Sequence, residues 1–442
     1  MTARSIAYKV LLQVERADAY LNVALDAALR SAGAISRQDA GLATEISYGV
    51  ARRMLSLDAA LARHSKRPLR KLETGVLVAL RIGAYQLLFL DRVPGHAAVD
   101  ATVELAKKQG LARASGFINA VLRKIADERQ IPLPADPIEK LSVESSHPAW
   151  LIRRWVARLG EQDTAELCRA DNEPAPVCVR VNLTRNTRDE AQAALAAAGV
   201  TSRPTPYSPL GLWLENPGPL AALEPFQKGL FQVQDEAAQL VSLAAQARPG
   251  MRILDACAAP GAKACHLAEQ LQGEGEIFAV DVHERKLRKL EEEAARLGVG
   301  GILRMRAADA SRPMPLPERS FDLVLLDAPC SGLGTLRRHP ELRYRRVEAD
   351  LARLAELQRA LADNLIKYLR PGGAFVYAVC SPEPEEGTQQ AARLASGPLR
   401  MAKLEAPGVP WEKVTGPDGA LATLPHRHHA DGFYAARLIL PE

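Results

Sequence analysis

Two cysteines follow apolar runs that have the composition of buried strands. Cys330 comes after residues 321–326 and a short Asp-Ala-Pro turn, and Cys380 comes directly after residues 374–379. Because parallel strands end at one edge of a sheet, where ligands bind, both thiols are expected to face the same substrate. A thiolate can add covalently to an electron-poor ring and so activate a carbon that is otherwise too unreactive to be methylated. The sequence therefore predicts covalent chemistry carried by a pair of thiols.

The remaining cysteines are scattered and form neither a CxxC pair nor a metal-spaced cluster. A chain of this length does not need a disulfide scaffold, so we expect reduced thiols, a cytoplasmic location and no metal site. Buried cysteines often behave as small apolar side chains, and we predict that structural role for these four side chains. They are Cys168, Cys178, Cys257 and Cys265.

A strand, a turn of small residues and a helix start are predicted over residues 253–263, Ile-Leu-Asp-Ala-Cys-Ala-Ala-Pro-Gly-Ala-Lys. Small residues let backbone amides at a helix start approach a ligand, and the loop matches no pyrophosphate-binding glycine pattern. Asp281 ends the next predicted strand and could accept ribose hydroxyls, while Asp309 follows the third and could accept an adenine amino group. S-adenosylmethionine, a nucleoside without a pyrophosphate, fits these residues. The structural alternative is a strand–turn–helix whose neighbouring acidic residues have no role in binding a ligand.

The elements that position these residues fall into three predicted regions. From residue 236 to 442, apolar runs alternate with helical segments, which predicts an α/β Rossmann-type domain with a parallel sheet covered on both faces. Residues 138–235 mix helical and strand-like stretches and predict a small α+β module. Residues 1–130 have helical apolar spacing and predict an all-α domain, followed by a Pro-rich linker over residues 131–137.

Composition sets further limits on the function. The chain has 442 residues, 47% of them hydrophobic and 25% charged, with a formal net charge of +5. A mildly basic balance suits an acidic partner such as nucleic acid, although it decides little alone. No uncharged run approaches the roughly 20 apolar residues that a membrane span needs, and the first residues lack the features of a signal peptide. We therefore expect no membrane association.

Four segments together resemble the RNA cytosine-C5 methyltransferases, most closely the RsmB type, which acts on 16S rRNA. They are residues 255–263, 327–332, 337–341 and 377–381. Stretches in the first 130 residues are similar to the NusB-like helical domain of that type, and residues 146–150 are similar to the start of its middle RNA-binding region. The resemblance extends over nearly the whole chain. It implies a multidomain protein with a NusB-like helical domain, a small RNA-binding module and a methyltransferase domain.

The resemblance also implies roles for individual residues. Cys380 would attack C6 of cytosine as a thiolate, Asp327 would hydrogen-bond the base near N3, and Cys330 would assist proton loss from C5 and product release. Lys263 is a candidate for stabilising the thiolate. The residues implied to hold S-adenosylmethionine are Cys257, Ala258, Ala259, Pro260, Gly261, Ala262, Lys263, Asp281, Asp309 and Asp327. At Ala262 the family usually has a glycine.

The expected partner is RNA, with 16S rRNA favoured, and we expect neither a DNA partner nor an oligomer. A cluster of basic residues directly after Cys330 suits phosphate contacts, which position a strand without reading its sequence. The residues predicted to contact RNA are Arg337, Arg338, His339 and Arg343, with Arg180 as a weaker candidate. A cytosine inside a duplex hides C5 and C6, so the substrate base must be unpaired or flipped out.

Two alternatives stay open from the sequence. The first keeps the cytosine-C5 chemistry and changes the substrate to tRNA or 23S rRNA, since only the helical amino-terminal region favours 16S rRNA, and only by analogy. The second is a non-catalytic RNA-binding factor with a decayed catalytic domain, against which the presence of both thiols and Asp327 argues. An adenine-N6 methyltransferase is excluded, because its Asn/Asp-Pro-Pro-Tyr/Phe motif is replaced here by residues 327–330.

Overall fold

The structure is a computed structural model that describes residues 1–91 and 93–442. It divides into two compact units. The first, here called the helical unit, comprises Met1–Pro174 and Leu336–Val347. The second, here called the sheet unit, comprises Ala175–Thr335 and Glu348–Glu442. Segment 336–347, which carries the predicted basic cluster, thus belongs to the helical unit although its neighbours in sequence belong to the sheet unit.

Helices make up the helical unit. In chain order they are α1 (Ala3–Ala17), α2 (Leu21–Ser31), α3 (Arg37–Arg52), α4 (Met54–His64), α5 (Thr74–Phe89), α6 (Gly95–Lys108), α7 (Ser115–Glu128), α8 (Pro137–Ser145), α9 (Ala149–Leu159), α10 (Glu161–Asp171) and, from the later segment, α16 (Leu342–Arg345). Two 3₁₀ turns, Leu69–Lys71 and Ala112–Ala114, connect them.

Helix α5 is the centre of the helical unit. Most of its residues are apolar, and twelve of its sixteen positions are buried, including those of Arg81 and Gln86. A helix that is apolar on all sides is stable only when other helices surround it, and the amphipathic helices α1, α3, α6 and α7 supply that cover. The predicted linker ends inside a helix, because Asp136 caps α8 and Pro137 occupies its first turn, where a missing N–H costs nothing.

A four-stranded antiparallel sheet opens the sheet unit, with strand order β2-β3-β1-β4. The strands are β1 (Val177–Val181), β2 (Thr201–Pro204), β3 (Gly211–Glu215) and β4 (Phe231–Val233). Helix α11 (Arg188–Ala197) begins with a capping box formed by Thr187 and Glu190, and its buried face packs on this sheet. The short helix α12 (Glu224–Gln227) precedes β4.

The second sheet has the order β10-β12-β9-β8-β5-β6-β7, with β11 paired to β12. Its strands are β5 (Arg252–Ala256), β6 (Glu276–Asp281), β7 (Leu303–Ala307), β8 (Phe321–Asp327), β9 (Leu369–Val379), β10 (Arg400–Met401), β11 (Leu421–Ala422) and β12 (Tyr434–Ile439). Strands β9, β8, β5, β6 and β7 are parallel, and β12 runs antiparallel to β9.

Helices cover both faces of this sheet. They are α13 (Glu236–Ala244), α14 (Ala262–Gln270), α15 (Glu284–Leu297), α17 (Ala349–Leu365) and α18 (Thr388–Ser396). The short helix α19 (Pro425–His428) precedes β12. Successive residues of β8 alternate between two hydrophobic cores, with Leu323 and Leu325 in one and Val324 and Leu326 in the other. This alternation explains why the parallel strands read as uninterrupted apolar runs in the sequence.

The predicted strands of the α/β domain all form, within a few residues of their expected ends. The expected α+β module is divided differently, because its helices α8 to α10 group with the helical unit and its strands group with the sheet unit. Among the residues that the structure describes, no helix combines the length and the apolar character needed to cross a membrane.

Candidate active site

The two thiols predicted to act together are adjacent. Sγ of Cys330 and Sγ of Cys380 lie 3.3 Å apart, and both side chains are partly buried. Parallel pairing of β8 with β9 places Asp327 opposite Ala378, so the residues that follow both strands meet at one edge. The carbonyl oxygen of Cys380 also accepts the N–H of Gly334, which ties the two strand-end loops together.

The environment distinguishes the two thiols. The hydrogen bond to Cys380, together with burial and the nearby charge of Glu386, raises the pKa of Cys330 well above its ordinary value. Cys330 therefore keeps its proton at neutral pH and can donate it to the sulfur of Cys380. Because the thiolate is the nucleophilic form of cysteine, a Cys330 thiol that keeps its proton is poorly suited to attack a substrate.

An ion pair lies beside the thiols. Nζ of Lys263 donates to Oδ2 of Asp327 at 2.6 Å, and the Lys263 side chain is 12% exposed. Burial alone would lower the pKa of Lys263, but the charge and hydrogen bond of Asp327 raise it, and Cys380 adds a smaller attraction. Lys263 thus stays charged at neutral pH, beside Asp327 and near the Cys380 sulfur.

The loop between β5 and α14 is compact and leads directly into the helix start. Cys257 has a φ of 63° and Gly261 a φ of 111°. A Cβ at Gly261 would lie 2.5 Å from Cγ of Leu290, so only glycine fits at this position. The first turn of α14 then exposes backbone amides at the carboxyl edge of the sheet, where an uncharged or anionic ligand group is favoured.

Two more carboxylates lie at this edge. Asp281 ends β6 and is 8% exposed; its oxygens accept the N–H of Ala259 at 3.2 Å and of His283 at 2.8 Å. Asp309 follows β7 and is exposed, and hydrogen bonds from Ser311 lower its pKa. With Asp327, these residues place a carboxyl group at or just after the ends of β6, β7 and β8.

Sequence reasoning missed a buried carboxylate behind the thiols. Glu386 is fully buried and accepts hydrogen bonds from Ser331 and Ser381, the residues that directly follow the two cysteines. The chain offers a signal for it, since both cysteines are followed by serine and a Glu-Glu pair comes soon after the second. A second carboxyl group, that of Asp255, is buried below the loop.

Two of the arginines predicted to contact RNA are fully buried. Arg180 is 0% exposed and forms an ion pair with Glu269 at 2.6 Å, besides a hydrogen bond to Gln234. Arg343 is also 0% exposed and donates to Oδ1 of Asn172 at 2.9 Å and to the carbonyl oxygen of Ser146 at 3.3 Å. A guanidinium group sealed inside a unit cannot reach a phosphate, so the expectation is corrected for these two residues.

The rest of the basic cluster is more varied. Arg337 is 5% exposed and donates to the carbonyl oxygen of Pro174, so it too is held inside the helical unit. Arg338 and His339 are partly exposed, and the ring of His339 packs edge-on against Tyr20 with centroids 5.4 Å apart. For Arg338 and His339, contact with RNA stays a prediction.

A large cavity of the sheet unit, of about 2040 Å³, lies away from these residues. Its lining includes Arg248, Gly273 and Val299, which precede β5, β6 and β7, so it opens at the amino ends of the parallel strands. It includes none of the residues predicted to act on substrate or cofactor. Since the thiols and carboxylates gather at the opposite edge, the chemistry is assigned there.

Comparison with known families assigns three segments of the chain. Residues 1–127 match the family model described as "NusB family" and residues 147–221 match "Methyltr_RsmF/B-like, ferredoxin-like domain". Residues 242–439, which include the thiols and the acidic edge, match "16S rRNA methyltransferase RsmB/F". The expected fold class is thereby confirmed, with the small module identified as ferredoxin-like.

Curated relatives and solved structures extend the similarity over the whole chain. The ribosomal RNA small subunit methyltransferase B of Pseudomonas syringae pv. tomato is 37% identical and aligns over 99% of this chain and 97% of its own. The probable ribosomal RNA small subunit methyltransferase B of Synechocystis is 35% identical over 99% of both chains. The crystal structure of PH0851 superposes with a TM-score of 0.87 at 25% identity, over 99% of both chains. The chain belongs to the family of ribosomal RNA small subunit methyltransferases B.

Proposed function

We propose that this protein transfers a methyl group from S-adenosylmethionine to C5 of a cytosine in 16S rRNA, through a covalent bond between Cys380 and C6 of the base. The observation that carries the proposal is the 3.3 Å separation of the Cys330 and Cys380 sulfur atoms at the carboxyl edge of the sheet. The names of the relatives support small-subunit ribosomal RNA as the substrate.

The family depends on S-adenosylmethionine, which when bound supplies an electrophilic methyl group. The carboxyl edge fits this molecule, because it combines a helix start free of side-chain bulk with carboxylates fixed at successive strand ends. The backbone of residues 257–263 would contact the cofactor. Asp281 would accept the ribose hydroxyls and Asp309, which is exposed, would accept the adenine amino group.

Addition of the thiolate activates the base. The sulfur of Cys380 would form a bond to C6, and the electrons of the C5–C6 double bond would make C5 nucleophilic toward the methyl group. Lys263 would stabilise the thiolate before the attack, because its ammonium group interacts favourably with Cys380. Asp327, held by Lys263, would hydrogen-bond the base near N3, where charge develops in the adduct.

Release requires that the methylated C5 lose its proton and that the bond from C6 to sulfur break. The Cys330 thiol is placed to take part in both events. Its proton would pass to the departing sulfur of Cys380, and the resulting Cys330 thiolate, a strong base because of its raised pKa, would accept the proton from C5. The electrons of the C5–H bond restore the double bond. Cys380 is left as a neutral thiol, and it would lose one proton to solvent to regenerate the starting thiolate.

Release of the C5 hydrogen gives a direct test. The protein would be incubated with S-adenosylmethionine carrying a ¹⁴C methyl group and with 16S rRNA tritiated at C5 of its cytosines, with tRNA and 23S rRNA as comparison substrates. The expected result is one tritium released into water for each methyl group incorporated into 16S rRNA. Methyl transfer without tritium release would exclude C5 as the target. Transfer to tRNA or 23S rRNA alone would change the substrate, and no transfer would favour a non-catalytic RNA-binding role.

A further inference from the structure

Both active-site cysteines are followed by a serine, and the two serines share one acceptor. The hydroxyl groups of Ser331 and Ser381 each donate to Oε2 of Glu386 at 2.5 Å. The backbone N–H of Ser331 donates to the other oxygen, Oε1, at 2.8 Å. One carboxyl group therefore binds the two loops that carry the sulfur atoms, although these loops are fifty residues apart in the chain.

The contacts around Glu386 have the character of strong hydrogen bonds. O–H···O distances of this length are typical of hydroxyl donors to a carboxylate, and such bonds are about twice as strong as neutral ones. Ser331, Ser381 and Glu386 are each 0% exposed, so water does not compete for them. A network that is satisfied and dry holds its members in one arrangement.

Glu386 is itself held from two further sides. Nε2 of Gln358 donates to its Oε1 at 3.2 Å and also to the carbonyl oxygen of Pro329, the residue before Cys330. The hydroxyl group of Tyr377 donates to the main-chain oxygen of Glu386 at 2.5 Å and to Oε1 of Gln358 at 3.1 Å. Gln358 lies on α17 and Tyr377 on β9, so the carboxyl group is anchored to rigid elements.

We infer that Glu386 is a positioning residue that sets the distance between the Cys330 and Cys380 sulfur atoms by holding the serine after each cysteine. The inference rests on the proposed function, since it concerns the same pair of thiols. Glu386 holds the two loops through the two serines, and its charge also contributes to the raised pKa of Cys330. Displacement of a reacting group by about 1 Å costs on the order of 100-fold in rate, so a device that fixes both sulfurs has a large effect.

The rate at which Cys330 and Cys380 form a disulfide reports how the two sulfur atoms are placed, and it can be measured without any substrate. Diamide takes up two electrons and two protons from the thiols and is reduced to the hydrazine, while one S–S bond forms. Oxidation of the full-length protein would be stopped by acid at set times, and the peptide pair would be quantified by mass spectrometry. The wild-type protein is expected to form this disulfide readily, and the Glu386→Gln variant is expected to form it at least about tenfold more slowly. The reason is that one carboxylate oxygen becomes an NH₂ donor that faces two hydroxyl donors.

Kinetics give the second measurement. Glu386→Gln is expected to lower kcat about 100-fold while KM for RNA and affinity for S-adenosylmethionine stay near the wild-type values. Ser381→Ala removes one of the two hydroxyl donors and is expected to lower kcat less. The double variant Glu386→Gln/Ser381→Ala should be no slower than Glu386→Gln, because both changes act through the same contact.

A matched control separates positioning from general damage. Glu236 is also 0% exposed and accepts the backbone N–H groups of Tyr207 and Ser208, so Glu236→Gln disturbs an equally buried carboxyl group elsewhere in the sheet unit. It is expected to leave the rate of disulfide formation unchanged. If Glu386→Gln does not fold, Ser331→Ala and Ser381→Ala carry the same test.

The outcomes distinguish this inference from the proposed function. Wild-type rates of disulfide formation and of kcat in the folded Glu386→Gln protein, or in both serine variants, would overturn the positioning role. If instead the wild-type protein releases no tritium from C5, the proposed function fails, yet the disulfide rates still report whether Glu386 sets the distance between the sulfurs.

Discussion

The sulfur atom of Cys330 lies 3.3 Å from that of Cys380, and the two thiols differ in how the chain holds them. Cys380 follows the last residue of β9 directly, whereas Cys330 is three residues beyond the end of β8. The bond to Cys380 and burial raise the pKa of Cys330, which keeps that thiol protonated. The proposed function accordingly gives the two thiols different tasks, Cys380 as nucleophile and Cys330 as proton carrier.

Replacement of the nucleophile is the first prediction that follows from this assignment. Cys380→Ala is expected to lower methyl transfer to 16S rRNA by at least about 10⁴-fold, as removal of a covalent nucleophile does in other enzymes. Affinity for S-adenosylmethionine, measured by titration calorimetry, should stay near the wild-type value. Turnover close to that of the wild type would exclude Cys380 as the attacking group.

Replacement of the proton carrier has a different signature. Cys330→Ala removes the thiol proposed to deliver a proton to the departing sulfur and to accept one from C5, so the adduct between Cys380 and RNA should accumulate. We expect a slow-migrating RNA–protein band on denaturing gels with Cys330→Ala, and its absence with the double variant Cys330→Ala/Cys380→Ala. Free product with no such band would contradict the release role.

The sequence predicts the site well where local patterns are sufficient. Apolar runs that alternate with helical segments indicate the parallel strands, and a cysteine placed just beyond a strand must lie at the carboxyl edge whatever the remaining chain does. The adjacency of Cys330 and Cys380 follows from the parallel pairing of β8 with β9, and strands that follow one another in the chain are often neighbours in a sheet.

Long-range partners explain what the sequence does not predict. A run of arginines reads as a solvated cationic cluster, and only the fold reveals that Arg343 is bound by Asn172 and Ser146, more than a hundred and seventy residues away. The same holds for Glu386, whose hydrogen bond to Ser331 joins residues 55 positions apart. Hydrogen-bond partners inside a core are set by packing geometry, and no periodic pattern of residues in a single sequence indicates which distant residues will be partners.

Arg180 is expected to contribute to stability rather than to RNA affinity. Breaking a buried ion pair by removal of one partner costs about 3–5 kcal/mol, because the other charge is left uncompensated. Arg180→Met should therefore lower the midpoint of thermal unfolding strongly, and Arg180→Met/Glu269→Leu should recover most of the loss, since both charges are then removed. Burial already raises the pKa of Glu269 despite the attraction of Arg180. In the Arg180→Met variant, Glu269 would therefore be partly protonated.

The measurement separates this role from the contact with RNA expected from the sequence. Thermal unfolding of the variants would be followed by calorimetry, and RNA binding would be measured as a function of salt at a temperature where each variant is folded. A loss of one phosphate contact would reduce the slope of log affinity against log salt by about one unit. An unchanged slope together with a lower unfolding midpoint is the expected result; a reduced slope at unchanged stability would contradict the structural role.

The buried carboxyl group of Asp255 makes stability depend on pH. It is 0% exposed, and among the described residues neither of its side-chain oxygens has a hydrogen-bond partner. Burial, together with the charges of Asp327 and Asp281, raises its pKa well above the ordinary value of 3.8. As the pH rises above 3.8, the unfolded chain releases this proton while the folded protein retains it. The folded state then binds more protons than the unfolded state. This group therefore lowers the free energy of unfolding progressively until the pH passes its pKa in the folded protein.

A neutral replacement removes that dependence. Asp255→Asn should therefore raise the unfolding midpoint relative to the wild type by an amount that grows as the pH increases from about 4 toward 8, and the two proteins should converge in acid. Thermal unfolding of the cofactor-free protein over this range gives the measurement. Asp309→Asn is the contrasting control, because hydrogen bonds from Ser311 lower the pKa of this exposed carboxyl group and its small contribution to stability is lost as the pH falls. A constant difference between Asp255→Asn and wild type at every pH would mean that Asp255 is ionised in the folded protein. The charges around Asp255, below the loop between β5 and α14, would then differ from those described above.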